Sequence, residues 1–159
     1  MPDYNRPTQP DDPNNISRME GTIEIDRLVH DFNADRAHMG EQEGALRFFG
    51  SQKVNDDPDK FEAVEVHLEP TTIPTGTYPV GGEHVKKVVY VDPRTGNTYN
   101  AREGEVSLTR VTSLKTLLGS VVCQFSVEDQ TIVVAVQYRF KGYGQESGAA
   151  GLCLYRLTD

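Results

Sequence analysis

Between Leu117 and Phe140 the chain alternates apolar and polar residues twice, and no other stretch limits its fold so tightly. In the first run Leu117, Val121, Cys123, Phe125 and Val127 share one parity, while Ser120, Gln124 and Ser126 take the other. After Glu128-Asp129-Gln130, the second run sets Ile132, Val134, Val136, Tyr138 and Phe140 against Thr131, Gln137, Arg139 and Lys141. A strand turns successive side chains to opposite faces, so each run presents one apolar face to a core. The β-branched content and the short acidic connection make the pair a hairpin.

The remainder repeats this idiom. Ala45 to Gly50 reads as a compact strand closed by glycine. Phe61 to Glu69 places Val64, Val66 and Leu68 opposite Glu65, His67 and Glu69, and Pro70 stops it. Pro74 to Pro79 makes a turn and a brief extended piece, and Gly81-Gly82 breaks the chain again. Val85–Val91 runs through Asp92-Pro-Arg-Thr-Gly96-Asn97 into Thr98–Ala101, a hairpin loop with glycine at a left-handed position. Glu105 to Thr112 follows, with Val106 and Leu108 facing in. Ser51 to Lys60, with Asn55-Asp-Asp-Pro-Asp59, reads as a loop. Gly21 to Phe32 fits two templates: Ile23 and Ile25 alternate as in a strand, whereas Ile25, Leu28, Val29 and Phe32 also match a helix face. The β-rich surroundings favour a bulged strand, with Asn33 to Met39 a second short strand or a turn.

Strands separated by turn chemistry, with no long helix, predict an all-β fold: an antiparallel β-sandwich or flattened barrel of about 8–10 strands. Its expected core is Leu46, Phe48, Val64, Val66, Leu68, Val106, Leu108, Val121, Cys123, Phe125, Ile132, Val134 and Val136. Residues 1–18, with Pro2, Pro7, Pro10 and Pro13 among polar residues, read as a disordered arm. Residues 19–159 form one domain, in which 141–151 is a Gly-rich loop before a last strand over 152–157.

An ordered set of glycines and aromatics gives a resemblance. Phe32-Asn-Ala34, Phe49-Gly50-Ser51, the alternating strand at 64–68 and Gly76-Thr-Tyr78 come first. Tyr90 and Tyr99 around a turn, Gly104-Glu-Val-Ser-Leu-Thr109, and Leu118-Gly119 leading to Phe125 follow. Over residues 20–140 this order is similar to small β-sandwich domains of uncharacterised bacterial proteins, often lipoproteins. The chain departs from them in the Gly-rich tail after 141 and in lacking a lipoprotein leader. The resemblance implies a sandwich and no established chemistry.

Sixteen basic against twenty-four acidic residues give a net charge of −8, and no Lys/Arg run offsets it locally. Such a balance repels phosphate backbones and anionic lipid, so neither nucleic acid nor membrane insertion is expected. A mean hydropathy of −0.53 and the absence of any long apolar run agree with that. The N-terminus lacks the layout of a signal peptide, so the sequence as written reads as cytoplasmic, or as exported if a leader has been removed. Of the two cysteines, Cys123 and Cys153, each sits in an apolar run; two free thiols are the ordinary reading and a Cys123–Cys153 bridge the alternative. The Asn15-Ile16-Ser17 glycosylation triplet is read as accidental.

Candidate sites are few. Glu65, His67 and Glu69 are the metal-ligand candidates, about 7 Å apart along one strand face. Their ordinary reading is a solvated polar face. His30, His38 and His84 are read as incidental, and the acidic run 55–59 as a solvated loop. Tyr138, Arg139 and Tyr143 form the candidate ligand-binding edge, because aromatic and arginine side chains beside a glycine-hinged loop stack on sugars or anchor a partner. Otherwise Tyr138 belongs to the core. Gly142-Tyr-Gly-Gln-Glu-Ser-Gly148 lacks the Lys-Ser/Thr ending of a phosphate loop. No catalytic residue stands out and no cofactor is implied. The expectation is therefore a non-enzymatic binding or protein-interaction module whose partner is another protein or a small ligand. The alternatives are a barrel carrying a small apolar ligand and a metal-dependent hydrolase.

Overall fold

A computed structural model describes residues 17–141, apart from Asp56 and the side chain of Pro58. Residues 1–16, Tyr143, Cys153, the Gly-rich stretch from 142 and the expected last strand lie outside the described residues. Among the described residues eleven strands run in chain order: β1 Arg18–Ile25, β2 Leu28–Asn33, β3 Arg36–Gln42, β4 Ala45–Val54, β5 Asp57–Leu68, β6 Gly76–Pro79, β7 Val85–Val91, β8 Thr98–Asn100, β9 Glu103–Val111, β10 Thr116–Val127 and β11 Gln130–Lys141. Among the described residues the helical content is one 3₁₀ turn, Thr112–Leu114. Among the described residues no helix is long and apolar enough to cross a membrane.

The strands form two antiparallel sheets, in the orders β2-β1-β11-β10-β9-β6 and β3-β4-β5-β7-β8. They pack face to face and do not close into a barrel, so of the two expected architectures the sandwich forms. The alternating hairpin of 117–140 is β10 and β11, joined through Glu128-Asp129 with Glu128 at φ 53°. Its apolar parity lies against the inner face of the second sheet, where Phe48 packs 4.5 Å from Tyr138 and 5.2 Å from Phe140. Every residue of the expected core is buried in this one layer, together with Phe32, Ile73, Tyr90 and Phe140.

Three expectations are corrected. The segment 21–32 is neither a helix nor one bulged strand but a hairpin. Asp26 (φ 51°) and Arg27 (φ 71°) turn β1 into β2, a two-residue turn of the twist that suits hairpins. The helix-like spacing of Leu28, Val29 and Phe32 arises because the turn reverses which residues face inward; only Phe32 of β2 is buried. The polar stretch 51–60 is mostly strand, since β4 continues to Val54 and β5 resumes at Asp57. Composition marked the turn at Asn55 (φ 55°) but overstated its length. The count also exceeds 8–10, because the 21–32 segment divides and β3 forms. The loop 92–97, by contrast, places Gly96 at φ 76° as its sequence demands.

Glycine is required where Tyr138 crosses β10. A Cβ on Gly119 would lie 2.0 Å from the Ser107 carbonyl oxygen and 2.8 Å from the Tyr138 hydroxyl. The Tyr138 hydroxyl donates to that carbonyl at 2.5 Å, so an aromatic core residue keeps a bonded polar tip.

Val134 and Val122 test the inward face. Val134 is fully buried, whereas Val122, on the partner strand but the opposite face, is 47 % exposed. Burying an unpaired carboxylate costs several kcal/mol against a total stability of about 5–15 kcal/mol. Val134→Asp is therefore expected to abolish the cooperative thermal transition, and Val122→Asp to shift stability by no more than about 0.5 kcal/mol. Equal melting temperatures for the two variants would invert the assignment of faces.

Candidate functional site

The sequence-derived candidates do not converge. Tyr138 is core, and Arg139, its neighbour in sequence, faces the opposite side of the first sheet. There Arg139 lines a shallow groove with Arg18, Glu20, Leu118 and Gln137. Tyr138 also lines this groove, although its ring is buried in the core and adjacent strand residues turn their side chains to opposite faces. Tyr143, the third member, lies outside the described residues.

Glu65, His67 and Glu69 also separate. Their expected solvated facing is corrected for the first two, which are 1 % and 6 % exposed. They lie on the outer face of the second sheet, where Arg47 Nη2 stands 3.7 Å and His67 Nε2 3.4 Å from the Glu65 carboxylate. Arg47 also donates to the Gln42 side chain, and burial lowers its guanidinium from the ordinary value despite the opposing fields of Glu65 and Glu43. Glu69 has left the face. Its side chain is 42 % exposed and stands 3.8 Å from Lys86. Among the described residues no three His, Cys, Asp or Glu side chains come together in a way that could hold a metal ion.

His38, also on the outer face, has its ring 6.1 Å from Phe49. His84 bonds the Glu69 carbonyl. Cys123 is a free, buried thiol, and burial pushes it up to about 12, far from a reactive thiolate at neutral pH.

The residues that do gather are others. At one end of the sandwich a cleft of about 540 Å³ opens between the β1–β2 hairpin and the ends of β4, β5 and β7. Its apolar walls are Ile25, Leu28, Val54 and Pro93, and its polar lining includes His30, Gln52, Glu62, Asp92 and Arg94. Glu62 is 1 % exposed yet shares the parity of Val64, Val66 and Leu68, so β5 carries a carboxylate into the inner layer near the rim.

Four bonds hold that carboxylate. His30 Nε2 lies 2.9 Å from both oxygens, Gln52 Nε2 donates at 2.8 Å, and the Tyr90 hydroxyl donates at 2.5 Å. Burial, then the charge and hydrogen bond of Glu62, push the Tyr90 phenol well above its ordinary range. Gln52 performs a second task. Its oxygen accepts the Asn33 amide at 2.9 Å and its nitrogen donates to the Asp31 carbonyl at 3.2 Å. It thereby bonds the edge of β2 as a neighbouring strand would.

On the other wall Arg94 grips buried Asp92 through two side-chain bonds, at 3.0 and 2.7 Å. Burial alone would raise the Asp92 carboxyl, but the bonds and charge of Arg94 outweigh it and hold it below the ordinary carboxylate value.

Sequence reasoning set His30 aside and passed over Gln52, Glu62, Tyr90, Asp92 and Arg94. One signal was available: Glu62 is a charge on the apolar parity of a strand. Within the cleft His30 and Gln52 thus bond Glu62, and Arg94 bonds Asp92, while Asp26, Lys53 and Asn55 also line it beside the apolar walls and the hairpin tip. Leu28 is 77 % and Val29 59 % exposed there.

The buried phenols make alkaline stability a test. Unfolded tyrosine ionises near pH 10. Above that pH the native chain keeps protons on Tyr90 and Tyr138, both raised by burial, that the unfolded chain has lost. Their contribution is whole below pH 10 and declines as pH rises. Urea melts between pH 8 and 11 are expected to show this loss, with a smaller slope in Tyr90→Phe. Phenolate absorbance from either residue in the folded protein at pH 11 would contradict it.

Comparison with known proteins returns no match: no family model fits the chain, and no curated protein or solved structure is similar to it.

Proposed function

We propose that this protein is a non-enzymatic interaction module that takes an extended segment of another protein at the β2 end of the sandwich. The observation that carries this reading is the exposure of Leu28 and Val29 beside a cleft whose buried carboxylates, Glu62 and Asp92, already have side-chain partners. A pocket of that kind offers its apolar walls to an occupant and requires few polar bonds from it. The natural occupant is an apolar side chain on a strand-like peptide.

The edge of β2 supports the same mode. Residues 29, 31 and 33 turn their backbone groups away from β1, and Gln52 takes the Asp31 carbonyl and the Asn33 amide. Among the described residues no strand neighbours the outward groups of Val29, so a short segment can pair there while its side chain enters the cleft. Asp26 and Asp31 flank this position, both exposed, against exposed Arg27 and the Lys53 of the cleft, and the chain carries a net charge of −8. A partner with basic residues on either side of its apolar anchor is favoured by that field.

A random peptide library displayed on phage tests the reading. Selection is expected to enrich segments with a large apolar residue flanked by Lys or Arg, bound more weakly as salt rises. Burying one Leu or Val side chain contributes about 1.5–3 kcal/mol. Leu28→Asp is therefore expected to weaken the selected peptides at least tenfold, while Val122→Asp leaves them unchanged. Enrichment of nothing, or of peptides indifferent to Leu28→Asp, would defeat the proposal.

A further inference from the structure

On the outer face of the first sheet, at the end away from the β1–β2 turn, the strand register sets two polar rows side by side. In one, Arg18 stands opposite Arg139 and Arg139 opposite Leu118. In the other, two residues along each strand, Glu20 stands opposite Gln137 and Gln137 opposite Ser120. Both rows line one open groove of about 420 Å³. Residues directly opposite on such strands have Cβ atoms about 4.5–5.5 Å apart, and like charges placed so repel each other. Among the described residues neither arginine has an ion-pair partner, although Glu20 shares the groove. The chain as a whole carries a net charge of −8, so this pair of free guanidiniums is a local reversal of sign.

We infer that this groove binds one carboxylated sugar, a hexuronate unit, with its carboxylate on the arginine row and its ring hydroxyls on the row of Glu20, Gln137 and Ser120. Guanidinium forks match a planar carboxylate and hold it by charge-assisted bonds. Glu20 selects the rest of the ligand, because its carboxylate repels a second anion and accepts bonds from hydroxyl groups. Gln137 offers both a donor and an acceptor. Ser120 is oriented from behind: its amide donates to Ser107 Oγ at 2.9 Å, and the two hydroxyl oxygens stand 2.8 Å apart. Leu118, 36 % exposed, gives the carbon face of the ring an apolar contact. The rows lie about 7 Å apart along the strands, so the ligand must carry its charge and its hydroxyls on opposite sides. A hexuronate does so across a six-membered ring. A free α-amino acid, with both charged groups on one carbon, does not reach both rows, and a polyanion meets Glu20 and the net charge of the chain. This site is independent of the β2 cleft.

The test titrates the isotopically labelled full chain with sodium glucuronate at constant ionic strength and follows its amide resonances. Saturable shifts are expected at 18–20, 118–120 and 137–139. Affinity is expected to fall at least tenfold in Arg18→Gln and in Arg139→Gln. Both variants should melt no lower than the native chain, since each removes a like-charge contact at an exposed position. Glu20→Gln should weaken glucuronate and strengthen acetate, because it takes an acceptor from the first and a repulsion from the second. The absence of saturable shifts would overturn the inference. So would acetate or glucose binding as tightly as glucuronate, or shifts that survive Arg139→Gln. Should an arginine variant fail to fold, melting of the native chain decides: glucuronate should raise the midpoint more than equal acetate, and equal shifts refute the site. A disaccharide of glucuronate joined to glucose separates the sources. Tighter binding than glucuronate assigns the unit to the end of a glycan, and equal or weaker binding assigns it to the free sugar.

Discussion

Everything in this molecule rests on the apolar contact between the β10–β11 hairpin and the inner face of β4, β5 and β7. Phe48 lies against Tyr138 and Phe140, and Tyr90 against Phe125 at 5.9 Å between ring centres. Each sheet alone would expose a continuous apolar face, and a lone face of that size is unstable in water. Their union fixes the register of both sheets, because a one-residue slip in any strand would send its apolar set outward. It also dictates where polar chemistry can occur. A layer filled by interlocking side chains has no room for a ligand at its centre, so a binding surface belongs at the ends or on the outer faces.

Glu62 shows how the rim uses that constraint. A buried carboxylate without partners would be driven to neutrality. Here it receives bonds from His30, Gln52 and Tyr90, which come from three different strands and both sheets. The group thus ties β2 of one sheet to β4, β5 and β7 of the other, where the apolar layer ends and the edge of β2 begins. Breaking it would loosen the end of the sandwich before the centre, since charge-bonded networks of this kind lose more on deletion of one member than a single bond is worth.

The two-residue period made most of the architecture legible in the sequence. The inward parity of β4, β5, β9, β10 and β11 followed from alternation alone, and all thirteen residues expected in the core are found there. Two things were hidden, for different physical reasons. Alternation reports polarity and not exposure, so Glu65 and His67 read as a wet face although Phe61 and Ala63 share their parity. Phe48-Phe49 carried the same message, since neighbouring aromatics on a strand require apolar surroundings on both sides. The cleft was hidden because its residues lie far apart in sequence. His30 and Glu62 are 32 positions apart, and Tyr90 and Glu62 are 28. Only the packing of the sheets makes them neighbours.

The exposed apolar residues differ in what surrounds them, and the proposed binding mode rests on that difference. Leu118 stands on the outer face of the first sheet among Arg18, Glu20, Gln137 and Arg139, whose aliphatic stems share the surface with it, and Val122 stands on the same face between Glu105 and Ala135. Leu28 and Val29 stand at a hairpin tip made by a two-residue turn, on an edge that no described strand pairs, beside a cleft whose buried carboxylates already have partners. A flexible tip would lose conformational entropy on binding, whereas this one is fixed by β1 and by Gln52 before any partner arrives. Preorganised apolar area next to unpaired backbone is what strand addition requires, and of the described strand edges β2 is the one that joins it to a cleft.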